Sequence, residues 1–238
     1  MSEFASAFST AVRMVATLDA DLVEIVVLSL RVNFTAVGFA VLIGFPIGAA
    51  MAILRFPGRR ALSVAFNALM GMPPVVVGLI VYLLLSRSGP LGVLGLLFTP
   101  TAMIVAQFLL IMPIVAALTR QAMEDLWLEY REQLQSLGAT GTQTLRTLLW
   151  EGRFSLSTTV LAAFGRATGE VGAVMIVGGN IDHLTRIMTT TIALEVSKGD
   201  LSLALGLGII LITLSVCVSA AAYLLNEFAR RNHDTARV

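Results

Sequence analysis

Lysine is almost absent from this sequence: Lys198 is its one example, against fifteen arginines. A phosphate-binding loop of the Walker type needs Gly, Lys and then Ser or Thr. Lys198 stands between Ser197 and Gly199, so the chain is not a self-sufficient ATPase. Histidine is nearly missing too. His183 and His233 have no ligand partner at metal spacing, so no metal site and no catalytic residue is assigned. The one cysteine, Cys217, lacks a disulfide partner within the chain and lies in an apolar run, where it reads as a packing residue. Charge is scarce as well: 13% of residues are charged and 57% hydrophobic, with a mean hydropathy of +0.87. That balance excludes an ordinary soluble domain. The net charge of +1 gives no reason to expect a nucleic-acid partner.

What is present is a set of long apolar runs. A bilayer core of about 30 Å is crossed by about 20 helical residues, and five stretches qualify. They run from Ile25 to Leu54, Ala61 to Ser86, Thr101 to Thr119, Phe154 to Val177 and Leu203 to Leu225. They lack the alternation of a membrane barrel, and lipid leaves no partner for open strands, so each is predicted to be a helix. The expected class is an all-α integral membrane protein with five transmembrane helices. Residues 24–228 form the membrane domain, preceded by an external segment 1–23 and followed by a cytoplasmic tail 229–238. The first segment has no cationic start before a short apolar run, so it does not read as a cleaved signal peptide. Phe4, Phe8, Val12 and Val15 recur at helical spacing, as in a short helix on a membrane surface or a frayed terminus.

The arginines orient the spans. Arg55, Arg59 and Arg60 separate the first two, Arg230, Arg231 and Arg237 follow the last, and the connection from Arg120 to Arg153 carries four more, the two end residues included. These fall on one side of five spans and mark it as cytoplasmic. The other side holds Arg13, Arg87, Arg186 and Lys198 beside Asp19, Asp21 and Glu24. The amino terminus is therefore expected outside and the carboxyl terminus inside.

Pro46, Pro73, Pro74 and Pro113 remove backbone donors within three spans and are expected to kink or unwind them. Asn67, Gln107, Arg166 and Glu170 are too polar for lipid and should face protein or an aqueous path. Arg166 and Glu170 are one helical turn apart, a spacing that favours a salt bridge. The pair either locks helix packing or lends partly neutralised positive potential to an anion in transit. The fourth span is thin at Gly169, Gly172, Gly178 and Gly179. Close packing explains this, and backbone donors near Gly178, Gly179 and Asn180 could also meet an anion. Thr189, Thr190 and Thr191 read as a solvated loop or as hydroxyls at an outer mouth. The fifth span, uncharged, reads as lipid-facing.

The polar connection from Glu124 to Phe154 reads as two short helices broken at Gly138. Leu134 and Leu137, then Leu145, Leu148 and Leu149, keep helical spacing, while Gly138 and Gly141 interrupt it. Gly138 permits a tight turn, across which Glu132 could accept from backbone donors. Such a projection suits docking to another protein, which a channel or secondary transporter does not require.

EQLQSLGAT resembles the cytoplasmic loop motif of ABC importer permeases, in which a Glu precedes a Gly at the spacing of Glu132 and Gly138; Gln133 and Leu134 replace the usual small pair. FGRATGEVGAVMIVGGNI, Phe164 to Ile181, resembles the pattern of sulfate, molybdate and tungstate permeases, as does MPPVVVGLIVYLLLSRSGPLG upstream. TRIMTTTIALEVSKGD, Thr185 to Asp200, is most similar to the tungstate group. The resemblance implies the type I ABC importer membrane-domain fold and a homodimer around the pathway. It also implies coupling through Glu132, Leu134, Leu137, Gly138 and Ala139 to two ATP-binding cassette subunits, which bind ATP and Mg so that this chain needs no cofactor. The remaining implied partners are an external oxyanion-binding protein and the lipid bilayer.

Overall fold

The structure is a computed structural model that describes residues 8, 9, 12, 13, 16, 17 and 20–235, with side chains to 224 and at 227. Phe4 and Val15 of the expected surface helix lie outside the described residues, as do the side chains of Arg230, Arg231 and His233 and all of Arg237. Phe8 and Val12 are exposed.

Among the described residues there are helices and no strands. In chain order they are α1 (Ala20–Ile53), α2 (Arg59–Met70), α3 (Pro74–Leu85), α4 (Pro100–Ser136), α5 (Gly141–Glu151), α6 (Arg153–Thr168), α7 (Gly172–Gly178), α8 (Met188–Lys198) and α9 (Leu201–Thr235). A single 3-10 turn, Gly92–Leu94, lies between α3 and α4. Helices α1, α4 and Leu201–Leu224 of α9 are each long and apolar enough to cross a membrane. The other two expected spans are broken. The helices α2 and α3 are bent apart at Gly71–Pro73, and α6 and α7 at Gly169–Val171, so five crossings result only when each bent pair counts as one.

The prolines explain part of this. Pro73 holds extended backbone before α3, and Pro74 takes its first position, where a missing N–H costs nothing. Pro46 and Pro113, by contrast, lie inside unbroken helices, so the expected unwinding does not occur there. Around Pro46 the helix is held by close packing. A Cβ on Gly44 would lie 2.8 Å from Val115 Cγ1, and one on Gly48 would lie 2.7 Å from Thr119 Cβ. Two glycines four residues apart thus let α1 and α4 touch backbone to backbone, the small-residue device of membrane helices.

The chain packs as two compact units, each assembled from three stretches. One comprises residues 1–36, 73–107 and 165–218, and the other 37–72, 108–164 and 219–238. In the first, Leu22 and Ile25 of α1 pack with Met188 and Leu207. Gly78 of α3 sits against α7, where a Cβ would lie 2.7 Å from Ala173 Cα. In the second, Ala49, Ala52 and Ile53 of α1 meet Met123 and Leu134 of α4, Leu148 of α5 and Leu156 of α6. Cys217 is exposed, so it is not the packing residue its apolar neighbours suggest. It shares α9 with exposed Ile212, Val216 and Leu224, the outward-facing apolar surface expected of that span.

Candidate functional site

The polar residues of the first unit converge where α6 ends. Arg166 Nη1 donates to Glu170 Oε2 at 2.6 Å, with Glu170 4% and Arg166 33% exposed. A carboxylate so deeply buried is tolerated only because its oxygens are satisfied. Oε1 accepts from the Ala173 amide at 3.0 Å, placing a negative charge at the positive amino-terminal end of α7. The Glu170 backbone carbonyl accepts from Thr189 Oγ1 at 2.8 Å. Glu170 therefore neutralises an arginine, caps one helix and is tied to the start of α8. Arginine has five N–H donors, so the part-exposed guanidinium keeps donors that an anion can engage.

Gln107 of α4 is fully buried beside this pair. Its Nε2 donates to Asn33 Oδ1 at 3.0 Å and to the Ala167 carbonyl at 3.2 Å. Its Oε1 is buried with no partner among the described residues, an uncompensated acceptor of the kind native interiors seldom keep.

The loop after α7 is knitted from inside. Gly179 ends α7 in the left-handed region at φ 70°, and a Cβ there would lie 2.9 Å from the Phe98 ring. Asn180 follows, also left-handed at φ 49°, a conformation that glycine and asparagine adopt at least cost. Gly178 is buried against Met103, and its carbonyl accepts from Thr185 Oγ1 at 2.6 Å. The Gly179 amide donates to Met175, and Asn180 Oδ1 accepts from Thr190 Oγ1 at 2.8 Å. The three threonines are not a solvated loop. They form the buried first turn of α8, with hydroxyls donated to Glu170, Asn180 and Ile187.

Several residues of this cluster escaped the sequence reading. Ser29 Oγ accepts from the Met188 amide at 2.8 Å and Asn33 holds Gln107; both are polar residues in an apolar run, a signal that was available. Arg31, also within the first expected span, is exposed on α1. His183 Nδ1 lies 2.9 Å from Glu24 Oε2. That hydrogen bond, with the charges of Asp182 and Glu24, raises the His183 pKa above its ordinary 6.5.

The projecting segment belongs to the second unit. Its first helix is not a separate short one but the end of α4, which runs unbroken to Ser136. Gly138 then turns left-handed at φ 68°. The Ala139 amide donates to the Leu134 carbonyl at 3.0 Å and the Gly138 amide to the Gln135 carbonyl at 3.1 Å. This is the paired bonding of a Schellman stop. Those carbonyls take the turn donors that Glu132 was expected to serve; the Glu132 side chain is exposed. Leu134 is buried in the core and Ala139 packs on it, while Leu137 is 81% exposed. Thr140 starts α5 with a capping box, its hydroxyl accepting from the Gln143 amide as Gln143 Oε1 accepts from the Thr140 amide. The turn is thus rigid at both sides, and it presents Glu132, Leu137 and Gly138 outward. Asn67, in the same unit, is exposed and lines an arginine-rich cleft.

Residues 44–231 match the family model described as "Binding-protein-dependent transport system inner membrane component". The chain is 39% identical over 227 residues to the tungstate uptake system permease protein TupB of Peptoclostridium acidaminophilum, covering 95% of this chain and all of that one. It is 40% identical over 204 residues to a probable anion ABC transporter permease protein of Haloferax volcanii, covering 84% of this chain and 88% of that protein. A chain of the MetNI methionine ABC transporter, solved in inward facing conformations, superposes with a TM-score of 0.71 at 19% identity, over 90% of this chain and 97% of that one.

Proposed function

Since this chain belongs to the family of inner membrane components of binding-protein-dependent transport systems, we propose that it passes a tetrahedral oxyanion, tungstate foremost, into the cytoplasm. The chain is the permease of an ABC importer, a transport component and not an enzyme. Its energy comes from a partner ATPase and its cargo from a substrate-binding protein. The observation that carries the tungstate reading is the 39% identity to a tungstate uptake permease along 95% of this chain.

In this reading two copies enclose the path, with the amino terminus outside and the carboxyl terminus cytoplasmic. Each bent helix pair then crosses once, giving five crossings. Two ATPase subunits, which hold ATP and Mg, dock on the Gly138 turn. A cleft on the ATPase receives exposed Leu137 while buried Leu134 carries its movement into α1, α4 and α6. Because the turn is capped on both sides, force applied there moves helices rather than unfolding a loop.

Arg166 supplies attraction for the dianion, and Glu170 keeps that attraction partial. A full unpaired charge in a low-dielectric passage would trap a dianion instead of releasing it. Gln107, Gly178, Gly179 and Asn180 hold the elements on which this pair is mounted. Selection among oxyanions falls to the binding protein, since tungstate and molybdate are dianions of one shape. Calorimetric affinities of the cognate binding protein test the cargo. Tungstate is expected to bind far more tightly than sulfate; a preference for sulfate by orders of magnitude would transfer the assignment to the sulfate permeases.

A further inference from the structure

We propose that the arginine cleft at the turn between α1 and α2 is a headgroup site for an anionic phospholipid. Arg55 of that turn, Arg59 and Arg60 of the first turn of α2 and Arg120 of α4 line one cleft, and Glu124 is the single carboxylate among its lining residues. Glu124 is already shared. Its Oε1 accepts from Arg59 at 3.1 Å, and both its oxygens accept from Arg120 at 2.8 and 2.7 Å. Arg55 and Arg60 are exposed and form no ion pair among the described residues. The cleft therefore holds three positive charges in excess, a self-repelling arrangement that a bound anion would offset.

The surroundings select the kind of anion. The cleft opens just past the end of apolar α1, where the hydrophobic run gives way to arginines, and exposed Phe56 and Val64 line it beside the guanidinia. Arg60, Ser63 and Asn67 fall at helical spacing on one face of α2 and line the cleft together. Charge and hydrogen-bond donors thus meet a phosphate while the neighbouring apolar side chains meet acyl chains. A free oxyanion would gain only the first of these. Basic pockets at the membrane edge recognise anionic lipids by this combination. The inference rests on the geometry of this turn and not on the importer reading.

Native mass spectrometry of the chain with its ATPase in detergent tests it, with phosphatidylglycerol and phosphatidylcholine of matched acyl chains as probes. The wild type is expected to bind phosphatidylglycerol about tenfold more tightly. R55Q/R60Q should lose that preference and R55K/R60K should keep it. The Arg59–Glu124–Arg120 network is untouched in both. Where the Gln pair does not assemble, R60Q alone is read the same way. Equal binding of the two lipids by wild type, or a preference unchanged by the Gln variants, overturns the proposal. Displacement of the lipid by millimolar phosphate or tungstate also overturns it and makes the cleft a soluble-anion site.

Discussion

At the scale of single residues, Glu170 carries two roles that substitution can separate. Gln at this position keeps an oxygen for the Ala173 amide but loses the charge that faces Arg166. Ala loses both. Glu170→Ala is expected to cost about 3 kcal/mol by stranding Arg166. It should unfold at lower temperature than Glu170→Gln, by roughly 1 kcal/mol for the lost cap. Equal thermal stability of the two variants in detergent would remove the capping role. His183 provides a second residue-scale test. Its folded pKa is raised by Glu24 and Asp182, so its pairing stabilises the protein fully below the unfolded value, about 6.5. That contribution fades as pH rises through the folded value. The gap in unfolding temperature between wild type and His183→Gln should therefore be widest below the unfolded value and narrow as pH rises above it; a gap that widens with pH contradicts the assignment. The i,i+4 spacing of Arg166 and Glu170 was legible in the sequence because both partners lie on one helix. The helix-capping bond was not, because it needs the break at Gly169–Val171 that no composition signal announces.

Among the elements, the turn at Gly138 separates strain from charge. Its φ of 68° disfavours most side chains, although no atom lies within 4 Å of where a Cβ would be. Asn and Asp tolerate this region better than other residues. Gly138→Asn should consequently retain ATP-driven uptake, whereas Gly138→Asp should abolish it by placing a charge in the docking contact, with membrane insertion intact in both. Normal tungstate uptake by Gly138→Asp would remove this turn from the coupling path. The glycine stop was readable from the loss of leucine periodicity after Leu137. The length of α4 was not, since after Thr119 its apolar positions Met123, Trp127, Tyr130 and Leu134 are interspersed with charged residues that end the hydrophobic run while the helix continues. The same limit explains the threonine run. Three hydroxyl residues resemble a loop in sequence, yet here all three are buried and each hydroxyl is spent on an acceptor. The close approach at Gly44 and Gly48 was legible in part, since two glycines four residues apart mark one small-residue face of a helix.

At the scale of the whole molecule, hydropathy marked five apolar stretches, of which three hold single helices long enough to cross a membrane and two hold broken pairs. Apolar content is blind to bends at Gly71–Pro73 and Gly169–Val171, where helices stop without leaving the apolar run. The break at Gly169–Val171 puts the Arg166–Glu170 pair beside the start of a new helix, giving the buried charge a dipole as well as a counterion. In the proposed function this chain moves its cargo only when a partner's ATP drives it through alternating access. Uptake of tungstate into proteoliposomes that contain the chain, its ATPase and its binding protein tests that claim most directly. Accumulation should require ATP and all three components, and it should collapse in an Arg166→Gln complex that still assembles. Accumulation by this chain alone, without ATP or the ATPase, would contradict the account.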